Sequence, residues 1–406
     1  MKTETHVIVG ASLAGASAAV ALRKEGFDGR IVLVGEESET PYERPELSKK
    51  YLRGELPAPV LVKPAEFFEA ERIELLKGHR GTRIDPRRRE VATTAGVLRY
   101  DRLLLATGAA PRRLAVPGGD LDGVVTLRTV VDADDLRRRA MAADSIAVVG
   151  GGWIGSEVAA SLRQLGRTVT MISVTAAPLE HVLGPEVARV YREVHEENGV
   201  RLVGRSKVTA FTGRGRVEAV ETEDGRRIPA ALVVVGVGAE PRTELASEAG
   251  LAVESGVLVD ANLESSQPGI FAAGDVANAW HPRYRRRLRV EHWDNAKRQG
   301  RAAAANMLGR ATAYDRTPYF YSDQYDLGME YTGHAETWDE VVFRGDPASR
   351  EFIAFWLSGG KVVAGMNVNV RDVAPAIERI VRSGQVVDRA RLSDPDRPLE
   401  EPAAVA

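Results

Sequence analysis

The sequence predicts an α/β protein in which two doubly wound folds on parallel sheets precede a smaller α+β region. Two observations carry this. Val9, Gly10, Gly15, Ala19, Leu22, Arg23 and Gly26 recur as Val149, Gly150, Gly155, Ala159, Leu162, Arg163 and Gly166, every pair at an offset of 140. After about residue 324 the pattern changes to alternating strands, such as Glu340 to Arg344 and Glu351 to Leu357, and then a helix from Asp372 to Arg382.

Each copy of the repeat has one local grammar. A short apolar run (His6 to Val9, Ile146 to Val149) leads into a glycine turn, then Ala and Leu at helical spacing, then a second apolar strand (Ile31 to Val34, Val169 to Ile172). Strand, turn, helix and strand within ~30 residues is the βαβ unit of a Rossmann-like doubly wound sheet. Further buried strands end at glycine: Tyr100 to Leu105 before Ala106-Thr107-Gly108, Leu232 to Val235 before Gly236-Val237-Gly238, and Gly269 to Ala273 before Gly274-Asp275. The final stretch from Pro395 to Ala406, rich in proline and charge, reads as a disordered tail.

Composition narrows the chemistry. A length of 406 residues exceeds one ordinary core, so two or three domains are expected. A formal net charge of -2 implies neither nucleic acid nor a membrane surface as partner. Cysteine is absent, which removes disulfides, thiolate metal sites, iron-sulfur ligation and redox thiols, and no metal is expected. The N-terminus runs into Val7-Ile8-Val9 without the long apolar segment of a signal peptide, so a cytoplasmic location is the expectation.

The two glycine turns are not equivalent. In the second, Gly150, Gly152 and Gly155 form G-x-G-x-x-G between a strand and a helix, with Trp153 and Ile154 inside the motif. There the backbone can approach a pyrophosphate and the helix N-terminus offers amide donors. The first turn, Gly10-Ala11-Ser12-Leu13-Ala14-Gly15, has Ser12 where the second glycine belongs. Its second strand ends Val34-Gly35-Glu36, placing a carboxylate for a ribose diol, with Glu36 preferred over Glu37. The second copy ends Met171-Ile172-Ser173, so Ser173 stands where an acid selects NAD, and no arginine follows closely. NADH and NADPH both remain open.

The stretch Pro41-Tyr42-Glu43-Arg44-Pro45-Glu46-Leu47-Ser48-Lys49 resembles the R-P-x-L-S-K signature of bacterial FAD-dependent ferredoxin reductases, the putidaredoxin and rhodocoxin reductase type. The resemblance extends through both turns, Leu127-Arg128-Thr129, Glu291-His292-Trp293-Asp294-Asn295 and Tyr319 to Gln324. It implies the glutathione-reductase fold: an FAD-binding domain from 1–112 and 246–323, an NAD(P)H-binding domain over 113–245, and a C-terminal α+β interface domain over 324–406. It also implies FAD contacts at Gly10, Ser12, Leu13, Ala14, Gly15, Glu36, Arg44, Pro45, Lys49 and Gly81. Further FAD contacts fall at Ala106, Thr107, Gly108, Arg128, Gly274, Asp275, Glu291, His292 and Trp293. NAD(P)H contacts fall at Gly150, Gly152, Trp153, Ile154, Gly155, Glu157, Ser173, Gly236 and Gly238.

By the same resemblance Lys49 is a cation near the flavin and Glu157 its ionic partner; together they are the catalytic candidates. Composition alone would make Lys49 an ordinary surface lysine beside Lys50. The implied reaction carries a hydride from NADH or NADPH to FAD, then single electrons to a [2Fe-2S] ferredoxin serving a cytochrome P450 or ring-hydroxylating dioxygenase. Alternatives are reduction of rubredoxin or a quinone, and an apoptosis-inducing-factor-like NADH sensor. Arg283, Arg285, Arg286, Arg287 and Arg289 form a basic run suited to an acidic ferredoxin. Tyr319, Phe320 and Tyr321 depart from the tryptophans common there in the family. A monomer or weak homodimer is expected.

Overall fold

The computed structural model describes residues 4–399. The chain forms two compact units: Met1–Arg44, Pro59–Ala110 and Ala239–Arg316 make the first, and Pro45–Ala58, Pro111–Gly238 and Thr317–Ala406 the second.

The first unit is built on a parallel sheet in the order Ile270–Ala272, Arg102–Leu105, Thr5–Val9, Arg30–Gly35, Ile73–Lys77. Its central strands are near-continuous apolar runs, and Val7, Ile8, Ile31, Val32, Leu33, Leu103 and Leu104 are fully buried. That is the pattern of strands covered on both faces. The helix Leu13–Lys24 supplies one cover. Its small residues let the helix Trp293–Met307 come very close, since a Cβ on Gly300 would lie 2.2 Å from the Ala14 carbonyl oxygen.

The second unit repeats the architecture with strands in the order Arg201–Val203, Val169–Ile172, Ile146–Val149, Leu232–Val235, Val124–Val125, all parallel. The repeat at offset 140 is visible in the hydrogen bonds: Gly10 N donates to Val34 O and Gly150 N to Ile172 O, each at 2.8 Å.

The α+β portion begins earlier than residue 324. Its antiparallel sheet runs Tyr319–Gln324, Leu327–Gly333, Lys361–Val368, Glu351–Ser358, Glu340–Asp346, and the helix is Ala374–Ser383. Both faces of this sheet are buried. One holds Phe355, Val362 and Val342 against Ile377, Ile380 and Val381 of that helix. The other holds Met329, Tyr331, Trp356 and Met366 against Leu183, Val187, Val190 and Val194 of the helix Glu180–Glu197. The boundary expected at 323/324 therefore separates no compact unit, because the sheet shares a core with the nucleotide-type fold before it. Residues 45–58, expected with the first fold, likewise belong to the second unit.

The tail expectation also changes. Arg344 donates to the carbonyl oxygens of Leu392, Pro395 and Arg397, and Leu399 packs on the core beneath the helix. Buried Arg344 needs acceptors, and this segment provides them. The rest of the expected tail, 400–406, lies outside the described residues.

Trp356 is fully buried, and its indole Nε1 donates 3.1 Å to the Leu183 carbonyl oxygen. Replacing it with alanine is expected to destabilise the unit by about 3–5 kcal/mol. Urea unfolding followed by circular dichroism and by fluorescence should show the parallel and antiparallel sheets of this unit melting together. Separate transitions would contradict the shared core.

Candidate functional site

Both glycine turns are backbone-on-backbone contacts. Gly10 and Gly150 take φ of +114° and +111°, a region that L side chains avoid. A Cβ on Gly10 would lie 2.1 Å from the Ala106 oxygen, and one on Gly150 would lie 2.2 Å from the Gly236 oxygen. One on Gly15 would lie 1.9 Å from the Gly10 oxygen, and one on Gly155 2.0 Å from the Gly150 oxygen. Gly152 differs: a Cβ there meets nothing within 4 Å. The equivalent Ser12 therefore faces no steric objection. Neither following helix, Leu13–Lys24 or Trp153–Gln164, has a side-chain cap or an acid in its first turn. Their first amides and positive dipole ends are left for something else that is anionic.

Around the first turn, Glu36 forms a 2.6 Å ion pair with Arg242, both about half exposed. Glu37 is spent internally on the Tyr42 hydroxyl and on Arg44, whose Nε also donates 3.3 Å to Ser12 Oγ. Thr107 Oγ1 donates to the Arg242 carbonyl, and Arg242 N donates to the Gly108 carbonyl. Arg242 thus ties the Ala106-Thr107-Gly108 strand end to the carboxylate. It was not anticipated from sequence, since a single arginine after a proline carries no motif. Gly81 opens the strand Gly81–Asp85 with its missing Cβ 2.9 Å from Val9 Cγ1. Gly274, at φ +80°, donates to Gln299 Oε1 and sits against Ala14; Asp275 follows it in a short 3-10 turn. His292 and Trp293 begin the helix Trp293–Met307, where Lys297 Nζ lies 4.4 Å from the Trp293 ring centroid. Glu291 is ion-paired with Arg289.

Pro45, Lys49 and Arg128 belong to the second unit with the second turn. Arg128 immediately precedes Thr129, which caps the helix Val130–Ala142 in a capping box with Asp132. Ser173 faces the turn, because a Cβ on Gly151 would lie 2.9 Å from Ser173 Oγ. Ser173 Oγ accepts from Thr175 N and donates 2.8 Å to Thr175 Oγ1, whose own hydrogen goes to the Ala177 carbonyl. Gly236 and Gly238 end the strand Leu232–Val235, with Gly236 N donating to the Val149 carbonyl. Ile154 is exposed, whereas Trp153 joins an aromatic cluster, its ring centroid 4.9 Å from Phe320 and 6.4 Å from Tyr191.

Lys49 and Glu157 are brought together. Lys49 Nζ lies 3.1 Å from Glu157 Oε2, and their side chains are only 5% and 6% exposed. Glu157 is held from both sides: Ser48 Oγ donates 2.5 Å to Oε2 and Ser322 Oγ donates 2.7 Å to Oε1. Ser161 Oγ in turn donates to the Ser48 carbonyl, fastening the short turn Pro45–Ser48 to the helix Trp153–Gln164. The Tyr321 ring lies 5.5 Å from Lys49 Nζ, and Tyr319 donates to Glu330. Phe320 alternates to the opposite face and stacks on Tyr331. Ser48 and Ser322 lie inside motif stretches, but their shared target was not legible there.

A buried ion pair is strongly coupled. Glu157→Leu alone, leaving Lys49 without its carboxylate, is expected to cost about 3–5 kcal/mol. The double variant Lys49→Met, Glu157→Leu should recover much of that in urea unfolding. Simple additivity would show that the two charges do not depend on one another.

Comparison with known proteins matches this geometry. Residues 4–300 match the pyridine nucleotide-disulphide oxidoreductase family, and 319–403 match the reductase C-terminal family. The chain is 38% identical to putidaredoxin reductase CamA of Pseudomonas putida, over 98% of this chain and 97% of that protein. The crystal structure of the ferredoxin reductase for the CYP199A2 system from Rhodopseudomonas palustris aligns with TM-score 0.95 at 36% identity, covering 99% of this chain and 100% of that one. The covalent putidaredoxin reductase-putidaredoxin complex aligns with TM-score 0.94 at 37% identity, covering 98% of this chain and 97% of that one. With two uncapped dinucleotide-type turns and a C-terminal sheet of the matching kind, the chain belongs to the FAD-dependent ferredoxin reductases of the putidaredoxin reductase type.

Proposed function

We propose that the protein passes a hydride from NADH or NADPH to bound FAD and delivers single electrons to a [2Fe-2S] ferredoxin feeding a cytochrome P450 or ring-hydroxylating dioxygenase. The observation that carries this reading is the presence, in each unit, of an uncapped helix N-terminus at a turn whose first and last glycines admit no side chain. Such a cradle suits a pyrophosphate, so the residues fit two dinucleotides. The first unit is assigned to FAD, and the second to the nicotinamide coenzyme and the interface domain. A cytoplasmic location and a monomeric or weakly dimeric state belong to the same reading.

FAD, when bound, supplies the two-electron acceptor that can release electrons singly. The chain supplies the rest. Glu36 would accept from a ribose diol, and its exposed pair with Arg242 is weak enough to yield to that ligand. With FAD bound, Asp275 would accept from a ribityl hydroxyl and Trp293 would pack beside the flavin. Lys49 presents a buried positive charge that favours negative charge developing nearby, while Glu157 fixes its position. With no cysteine in the chain, no thiol relay intervenes.

The ferredoxin reading is supported by the relative crystallised with putidaredoxin. Within the basic run, Arg287 donates to the Val259 and Asn278 carbonyls and Arg289 pairs with Glu291. Arg283 and Arg285 are exposed at the turn between Ala277–His281 and Arg286–Leu288, and they are the proposed docking cations.

Protein reduced under argon with NADH or NADPH should reduce cytochrome c rapidly only when a [2Fe-2S] ferredoxin is added. A reduced complex that ignores ferredoxin would sink the reading. The ferredoxin-dependent rate should fall steeply with salt, and Arg283→Glu with Arg285→Glu should lower it by about tenfold at low salt. A flat salt response removes the docking assignment.

Ser173→Glu should move coenzyme preference toward NADH by about tenfold or more, through repulsion of a 2'-phosphate. An unchanged NADH/NADPH ratio of kcat/KM means that Ser173 does not face the adenosine ribose.

A further inference from the structure

Behind the Lys49–Glu157 pair lies a buried hydrogen-bonded chain that runs in one direction. Glu157 as a carboxylate only accepts, so Ser322 must donate to its Oε1 at 2.7 Å. Having given up its hydrogen, Ser322 Oγ accepts from Gln324 Nε2 at 3.3 Å. The other end of that amide, Gln324 Oε1, faces His195 Nε2 at 3.0 Å, so His195 must carry its proton on Nε2. His195 Nδ1 is then the acceptor, and the Tyr325 hydroxyl stands 3.5 Å from it.

Ser322, Gln324 and His195 are all buried, and burial pushes the His195 imidazole down to about 4, so it is neutral. Every member of the chain lies in the second unit. Every donor points toward Glu157. On the far side of the carboxylate, Ser48 and Lys49 also point at it, through Oε2. An ionised Glu157 is the one end state that satisfies all of these groups at once.

We propose that Ser322, Gln324 and His195 are positioning residues that, as one polarised chain, hold Glu157 in the orientation that fixes Lys49 for hydride transfer. This rests on the reading of Lys49 given above. Neither Ser322 nor His195 is hydrogen-bonded to Lys49; they act through the carboxylate.

The orientation of the chain provides a test independent of bound cofactor or turnover. In Glu157→Gln, the amide oxygen must face Lys49, which only donates, so the NH2 faces Ser322. Ser322 then accepts and sends its own hydrogen to Gln324, which must turn its oxygen inward. The Gln324 NH2 then faces His195, and the imidazole proton moves to Nδ1. One substitution at Glu157 thus switches the tautomer of a histidine three hydrogen bonds away.

The protein, with histidine labelled by 15N, would be followed by long-range 15N–1H correlation, with the His195 signals identified by their loss in His195→Gln. The expected result is Nε2–H in the wild type, with no titration above about pH 5, and Nδ1–H in Glu157→Gln. Adding Ser322→Ala to Glu157→Gln should break the chain and abolish the switch. Retention of Nε2–H in Glu157→Gln, or Nδ1–H in the wild type, overturns the polarised chain.

For the positioning role, flavin bleaching by NADH in an anaerobic stopped-flow should slow by about tenfold in Ser322→Ala. Ser322→Thr, which keeps the hydroxyl, should stay within about twofold and guards against a folding artefact. A wild-type rate in Ser322→Ala beside an impaired Lys49→Met sinks the positioning role alone. A wild-type rate in Lys49→Met sinks the functional reading beneath it, and the tautomer result then still judges the chain.

Discussion

Removing a lysine and a glutamate from water is tolerable only if they meet and their remaining donors and acceptors are satisfied. Lys49 and Glu157 meet, the Tyr321 ring lies near the ammonium, and the carboxylate accepts from two serines, by drawing together three distant stretches of chain. The turn Pro45–Ser48 brings Ser48 and the lysine, the helix Trp153–Gln164 brings the glutamate, and the strand Tyr319–Gln324 brings Ser322. That requirement goes with the assignment of residues 45–58 to the second unit although their neighbours in sequence belong to the first. A short segment crosses from one fold to the other and is fastened there by charge and by the Ser161 bond to its backbone.

What was legible in the sequence was local. The repeat, its strands and its glycine turns are dictated by backbone sterics within ~30 residues, and the same hydrogen bonds recur in both copies. The departure at Ser12 was legible too, as a tolerated change, because the equivalent Gly152 position is open. Non-local partnerships were not. Nothing around Arg242 signals that it will pair with Glu36, two hundred residues earlier, and nothing around His195 signals Gln324. The family motif placed Lys49 and Glu157 beside each other as candidates, yet the serines that hold the carboxylate are visible only in three dimensions. Residues 395–399 of the expected tail were misjudged on composition, since the buried arginine that holds them lies some fifty residues upstream.

The two dinucleotide-type turns share a skeleton and differ at the edges. The first keeps an acid, occupied by a half-exposed arginine; the second has Ser173 locked in a closed set of hydroxyl bonds with Thr175 and Ala177. Backbone geometry therefore shapes both turns alike, and the two differ in one or two side chains at the strand ends.

The double burial of the C-terminal antiparallel sheet sets the natural cutting lines of this molecule. A fragment ending near residue 318 would bare the apolar face of the helix Glu180–Glu197, and an isolated 319–399 segment would bare Met329, Tyr331, Trp356 and Met366. Grafting the sheet of one reductase onto the nucleotide fold of another must therefore transplant that helix as well. The modular boundary visible in one dimension is a seam through the middle of a core.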